Sequence, residues 1–195
     1  YFIPATEKPI RKNEINAHVN NVLIAMGGGD SLNLTLLAIE ALSEARFRGK
    51  VDIVLGAAFK EHSKIHNKLD TSGLNGTINV NVQDMPQRML AADIGFSALG
   101  LTAYEMAYVG LPALIITGNE LNTEVAKIYC DQYQSAKFIG SFAETASNEL
   151  AQEFLKLAAD FSTRQSYQKA GMLIGSKIVE LTSLFKNVLS NVNYA

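Results

Sequence analysis

The sequence predicts an α/β protein, a doubly wound parallel sheet with helices on both faces. Three observations predict it. Short apolar segments such as Val51–Leu55 and Ala113–Thr117 have the composition of strands buried on both sides. Between them lie segments of helical period, with apolar residues at Leu36, Leu37, Ile39 and Leu42. The first apolar segment runs directly into Gly27-Gly28-Gly29, a turn suited to join a strand to a helix.

Taken in order, residues 1–18 are polar and irregular, with Pro4, Pro9 and a charged cluster from Glu7 to Glu14. They read as a linker or surface arm, leaving 19–190 as the domain proper. Val19–Met26 is the first strand candidate, and Leu32–Phe47 the first helix. Val51–Leu55 is a strand closed by Gly56, Lys60–Leu69 a polar helix, and Thr77–Val82 an alternating strand. Met85–Ala92 is a short helix, Ile94–Phe96 a short strand, and Leu101–Val109 a helix ended by Gly110-Leu111-Pro112. Ala113–Thr117, Glu120–Tyr133 and Lys137–Ile139 continue the alternation, and Thr145–Asp160 and Thr163–Val188 are helical. A sheet of about six parallel strands follows, with ligands expected beyond the carboxyl ends of the strands.

Composition narrows the function. Seventeen Lys and Arg against 19 Asp and Glu give a net charge of -2 over 195 residues, with no dense basic run. Bulk electrostatic binding to nucleic acid is therefore not expected. No apolar stretch approaches the ~18 residues of a membrane span. The single cysteine, Cys130, rules out an internal disulfide framework and fits a reducing, cytoplasmic location. His62 and His66 have the i, i+4 spacing of a shared metal, but no third ligand accompanies them and Glu61 precedes the first histidine. They read as a solvated helix face. No metal and no cofactor is expected.

Two turns carry candidate chemistry. In Gly27-Gly28-Gly29-Asp30 the glycines permit close backbone approach, and the following helix N-terminus favours an anion. The string is neither G-x-G-x-x-G nor a P-loop, and a plain turn with Asp30 or Ser31 as N-cap is the structural alternative. In Ser97–Thr102 the amides of Gly100, Leu101 and Thr102 are placed to face a phosphate. Glu105 is placed to accept hydrogen bonds from a sugar diol. Here the structural alternative is a capping box between Thr102 and Glu105.

The stretch Asp84–Asn122 contains M-x-x-x-M-x-x-A-D at Met85–Asp93, L-T-x-x-E at Leu101–Glu105 and G-L-P at Gly110–Pro112. It resembles the C-terminal, nucleotide-binding half of GT-B glycosyltransferases, a Rossmann-like fold. Met26–Asp30 with Asn33-Leu34-Thr35 is similar to the UDP-sugar hydrolase of pseudaminic acid biosynthesis. Spore-coat polysaccharide biosynthesis proteins and the peptidoglycan GlcNAc transferase are also similar. The resemblance covers about Val22 to Gly140. It implies a nucleotide base near Val82, Gln83 and Met85, a diphosphate at Gly100, Leu101 and Thr102, and ribose hydroxyls on Glu105. Gly27, Gly28, Gly29 and Asp30 would face the cleft, with Glu120 and Asn122 near the sugar.

The resemblance further implies a UDP-sugar as ligand and a nucleotide-sugar-binding role in surface polysaccharide or nonulosonate synthesis, by hydrolysis or sugar transfer. The implied partner is an N-terminal domain, outside this chain, that holds the catalytic residues or the acceptor. Leu99 stands where the family usually has glycine, which predicts a narrowed phosphate approach. The competing expectation is a non-catalytic binding or regulatory module that kept the fold and lost the donor site.

Overall fold

The computed structural model describes the backbone of residues 11–118 and 120–173, and within these the side chains of all but residues 120 and 121. Among the described residues six strands form one sheet: β1 (Asn21–Ile24), β2 (Lys50–Leu55), β3 (Asn75–Val80), β4 (Ile94–Ala98), β5 (Ala113–Thr117) and β6 (Ala136–Ser141). Every pairing is parallel, and the order across the sheet is β3-β2-β1-β4-β5-β6. Helices accompany them: α1 (Leu34–Glu44), α2 (His62–Ser72), α3 (Met85–Ala91), α4 (Leu101–Val109), α5 (Glu120–Tyr133) and α6 (Ser147–Ala159). A further helical stretch occupies residues 161–173.

The two-residue period of a strand divides the core in two. Val22 and Ile24 of β1 join a cluster with Leu37 and Ile39 of α1, Ile65 of α2 and Phe154 of α6. Leu23 joins a second cluster with Met89 of α3, Met106 of α4 and Tyr129 of α5. β5 repeats the division, with Leu114 and Ile116 in the first cluster and Ala113 and Ile115 in the second. Helices therefore cover both faces, as the near-continuous apolar strands require.

Several boundaries differ from the sequence expectation, each for a local reason. α1 begins at Leu34 rather than Leu32, because the Asp30 carboxylate accepts hydrogen bonds from the amides of Leu34 (2.8 Å) and Thr35 (3.0 Å). Residues 30–33 thus form the turn before the helix. β3 runs from Asn75 to Val80, paired with β2 along its whole length, so Asn81 and Val82 fall in the loop beyond it. The last helical stretch is already helical at 161, where Asp160 accepts a hydrogen bond from the Thr163 amide at 2.9 Å. The expected continuation to Val188 lies outside the described residues beyond 173.

The amino-end edge of the sheet is held by a buried polar node. Asp93, 2 % exposed and just before β4, accepts hydrogen bonds from the amides of Asn20 (2.8 Å) and Asn21 (2.9 Å) and from Asn16 Nδ2 (2.7 Å). The ammonium of buried Lys12 stands 4.0 Å away. Fully buried Arg164 donates to the carbonyls of Leu157, Ala158, Asn16 and Ala17. Gln168 donates to the Lys12 carbonyl at 2.9 Å. Residues 12–17, within the segment read as an arm, are thereby fastened to β4 and to the helical stretch 161–173.

Removing one member of such a node leaves its partners buried and unpaired. Asp93→Ala is expected to lower the unfolding free energy by about 3 kcal/mol, read as a shift of the urea midpoint with unchanged slope. A loss below about 0.5 kcal/mol, the range of an inert surface change, would show that the node does not carry the edge.

Candidate functional site

The carboxyl ends of β1 and β2 and the loop after β3 enclose a cleft of about 200 Å³, closed on the other side by α3 and α4. The chain leaving β1 contributes Ala25, Gly27 and Gly28. The end of β2 contributes Val54 and Leu55, with Gly56 and Ala57 behind them. Asn81 and Val82 follow β3, Met85 opens α3, and Thr102 and Glu105 lie in the first turns of α4. The cleft sits where neighbouring strands β1 and β4 send their connections to opposite faces, the usual binding crevice of an open parallel sheet.

Local geometry fixes these parts. Gly27 has φ of 90°, in the region that favours glycine. Gly56 is packed so tightly that a Cβ there would collide with the Gly28 backbone, and the Ala58 amide donates to the Gly28 carbonyl at 3.2 Å. The first and second loops are thus locked together by backbone contact. Asn81, at φ 49°, donates its amide to the Leu55 carbonyl and turns the chain out of β3. Arg88 of α3 bonds Asp84 (2.8 Å) and both oxygens of Asp52 on β2 (3.0 and 2.8 Å), which seats α3 against the sheet.

The two candidate anion turns differ in what occupies them. The N-terminus of α1 is filled by the chain's own Asp30. Its half-buried carboxyl is pushed above its ordinary value by desolvation, opposed by hydrogen bonds from Thr35 and Leu34. Asp30 therefore works as a cap from within the turn, with Asn33 as the N-cap position. The N-terminus of α4 has no side-chain cap, and Gly100 is its N-cap residue. The Leu101 and Thr102 amides begin this helix, where no intrahelical acceptor exists. Gly100 is extended, and a Cβ there would meet no atom within 4 Å.

Glu105 corrects the capping-box expectation. Thr102 is the second helical residue, so it cannot be the N-cap, and no side chain caps α4. Glu105 instead lines the cleft, 8 % exposed, and among the described residues its Oε1 has no hydrogen-bond partner. Burial raises its carboxyl from the ordinary 4.5 to about 7.

Half-buried Leu99, just before the α4 N-cap, packs against the second core cluster and is not among the residues lining the cleft.

Of the residues proposed from sequence, the cleft brings together Gly27, Gly28, Val82, Met85, Thr102 and Glu105. Gly100 and Leu101 begin the adjoining helix, with the Leu101 side chain 62 % exposed. Gly29 and Asp30 continue the first loop beyond the wall, and exposed Gln83 lies between Val82 and Met85 without lining it. Asn122, exposed in the first turn of α5, is not among the lining residues, and the Glu120 side chain lies outside those described. The sequence reading missed Ala25, Val54, Leu55 and Asn81 as wall residues. Gly56 and Ala57 open the loop at the carboxyl end of β2, where the sequence reading expects ligands, and both are wall residues.

His62 packs edge-on to Phe59 at 5.4 Å between ring centroids, and His66 is exposed. Among the described residues no group of three or more His, Cys, Asp or Glu side chains could hold a metal ion, and no helix is long and apolar enough to cross a membrane.

No family model matches the chain. Two curated relatives do: the uncharacterized protein MJ1062 of Methanocaldococcus jannaschii, 28 % identical over 120 residues, and the spore coat polysaccharide biosynthesis protein SpsG of Bacillus subtilis, 23 % identical over 190 residues. The matches cover 60 % and 95 % of this chain but only 25 % and 55 % of the relatives. Among solved structures, Anabaena HepE in complex with UDP and glucose superposes with a TM-score of 0.70 at 17 % identity, over 90 % of this chain and 49 % of that one. Acinetobacter baumannii MurG gives 0.64 at 17 %, over 90 % and 50 %. The C-terminal domain of the group 1 glycosyl transferase LpcC from Francisella tularensis gives 0.58 at 14 %, over 80 % and 84 %. The chain has the fold of the C-terminal half of GT-B glycosyltransferases. It spans about half the length of SpsG, HepE and MurG, and a quarter of MJ1062.

The Glu105 carboxyl links the cleft to stability. Below pH 4.5 it is largely protonated both folded and unfolded. Between 4.5 and about 7 only the unfolded chain ionises, and above 7 the full cost of the buried charge stands. Glu105→Gln removes that titration. Its stability relative to wild type is expected to be about 2 kcal/mol more favourable at pH 8 than at pH 4.5. Chemical denaturation of both proteins at the two pH values measures it, and a pH-independent difference would contradict the buried, unpartnered carboxyl.

Proposed function

We propose that this chain is the nucleotide-sugar-binding domain of a GT-B-like enzyme of surface polysaccharide or nonulosonate synthesis, with a UDP-sugar as its ligand. The observation that carries the proposal is the coincidence, at one cleft, of the uncapped α4 N-terminus and the buried, unpartnered Glu105 carboxyl. The fold's neighbours support it, since HepE is known in complex with UDP and glucose and with UDP-glucose. The spore coat polysaccharide protein SpsG supports the biosynthetic setting.

In this reading the base lies against Val82 and Met85, and the ribose hydroxyls donate to Glu105. The diphosphate meets the amides of Gly100, Leu101 and Thr102. As the bond from the anomeric carbon to the β-phosphate oxygen breaks, negative charge grows on that oxygen, and fixed amides at a helix N-terminus stabilise it without reorganising. Water or an acceptor hydroxyl completes hydrolysis or transfer, and the residues that activate it belong to a domain outside this chain. The alternative of a non-catalytic module draws on Leu99 closing the phosphate turn. Leu99 packs against the second core cluster, and the absence of UDP binding by the wild type would favour that alternative.

A hydrogen bond to a charged group contributes about 1.5–3 kcal/mol. Glu105→Gln is therefore expected to weaken UDP binding at least tenfold at pH 8. Wild-type affinity should fall as pH drops below about 7, where the free carboxyl takes up a proton, and the variant should lack that dependence. Calorimetry with UDP across pH 5.5–8.5 tests both. UDP binding of equal strength in the two proteins would remove Glu105 from the site, and no binding by the wild type would overturn the proposal.

A further inference from the structure

The wall that the nucleotide reading assigns to the base rests on a string of polar side chains. Asp52 lies two residues before Val54 on β2, on the same face and roughly 7 Å down the strand. Asn79 lies two residues before Asn81, and Asp84 directly precedes Met85. Asn79 Nδ2 donates to Asp52 at 2.8 Å, and the Arg88 guanidinium joins Asp52 (3.0 and 2.8 Å) to Asp84 (2.8 Å). Asn79, Asp52 and Asp84 are thus tied together one or two residues away from Asn81, Val54 and Met85, which line the cleft.

α3 needs such a tie. It has seven residues, too few for a helix to hold itself in water, and no side chain caps its start. Its buried methionines, Met85 and Met89, lie one turn apart and enter the second core cluster with Leu23 of β1 and Met106 of α4. Toward β2 and β3 the helix is not packed. A groove of about 350 Å³ is lined there by Arg88 and Ala91 of α3 and by Lys50, Asp52 and Thr77 of the strands. Apolar packing therefore fixes one side of α3. The Arg88–Asp52 pair, with side chains 21 % and 29 % exposed, fixes the other.

We propose that Arg88 is a positioning residue for nucleotide binding: through Asp52 it holds α3 where Met85 and Val82 form the wall for the base. This role rests on the nucleotide reading above. Arg88 lies outside the cleft wall and acts through Met85. Binding draws on the molecules in which α3 is seated, so the apparent dissociation constant rises as that fraction falls. A lysine at this position would keep the charge but not the planar fork that spans two carboxylates.

The test is calorimetry with UDP at pH 8, above the Glu105 titration at about 7, on wild type, Arg88→Lys, Asp52→Asn and the double variant. Urea titration first establishes that each protein is folded at the working temperature, so that affinity is read on folded molecules alone. If Arg88→Lys does not fold, Asp52→Asn decides. Each single variant is expected to bind UDP about tenfold more weakly, the lower end for one lost charge-assisted hydrogen bond. The double variant is expected to lie within about twofold of the singles, because both changes break one pair. Asp93→Ala, at the opposite end of the strands, costs stability without touching α3. Its UDP affinity is expected to match wild type within about twofold. Single variants within about twofold of wild type would overturn the proposal and leave the nucleotide reading standing. So would fully additive losses in the double variant, or an equal loss in Asp93→Ala, which would tie affinity to stability rather than to α3. If the wild type binds no UDP, the nucleotide reading itself is wrong and the role of Arg88 falls with it.

Discussion

The reversal of strand order between β1 and β4 is the constraint on which the rest of the structure depends. The chain winds outward from β1 through β2 to β3, then returns to lay β4 on the other side of β1. The connection after β1 leads to α1 in the first core cluster, while that after β4 leads to α4 in the second. Two adjacent parallel strands therefore release their chains toward opposite faces, and a gap opens between the departing loops. What fills its walls is dictated by chain order: Gly27 and Gly28 from one side, Thr102 and Glu105 from the other. No single motif creates the site. The topology creates it, and the motifs determine its chemistry.

The two helices that start at this gap show how sequence tunes one backbone feature in opposite ways. Each begins after a strand and a glycine-containing turn. Asp30 closes the first with two charge-assisted hydrogen bonds and makes it a structural joint. The second keeps Gly100 and no capping side chain, beside the cleft that Thr102 and Glu105 line. A side-chain cap on α4 would have contributed about 0.5–2 kcal/mol of stability. Its absence and a buried carboxyl raised to about 7 both cost α4 stability, and under the proposed function both serve binding.

The fold was legible because it is encoded locally. Apolar runs of strand length and helical periods alternate with glycine turns, and α4, α5 and β5 occupy the expected residues. The misplaced boundaries lie where a distant or unusual interaction decides. Asp30 shortens α1 from within its own turn, and β3 takes its register from β2 rather than from its own alternation. Glu105 was legible as a candidate but not separable from a capping box, since that choice depends on where α4 starts, and Thr102 lies past the N-cap, inside the helix. Leu99 packs against the second core cluster, a placement that spacing alone could not give. Asn81 and the β2 wall were invisible, since a residue joins a cleft through the packing of three strands rather than through its own neighbours. The fastening of Asn16 and Ala17 depends on Asp93 and Arg164, 77 and 147 positions further on, beyond any local pattern.

Two buried carboxyl groups at opposite ends of the strands make the functional argument by contrast. Asp93 is saturated by two backbone amides, an asparagine amide and a nearby lysine, the pattern of a group whose purpose is register and rigidity. Glu105 is nearly as buried, yet one of its oxygens meets nothing among the described residues. An isolated defect in a core would be costly and without compensation. This one stands beside an uncapped helix terminus and a glycine with empty space where a side chain would go, at the sheet's natural crevice. Under the proposed function the helix-terminal amides meet an anion, the Glu105 oxygen accepts from hydroxyls, and Val82 and Met85 cover an apolar ring system, the chemical outline of a nucleoside diphosphate.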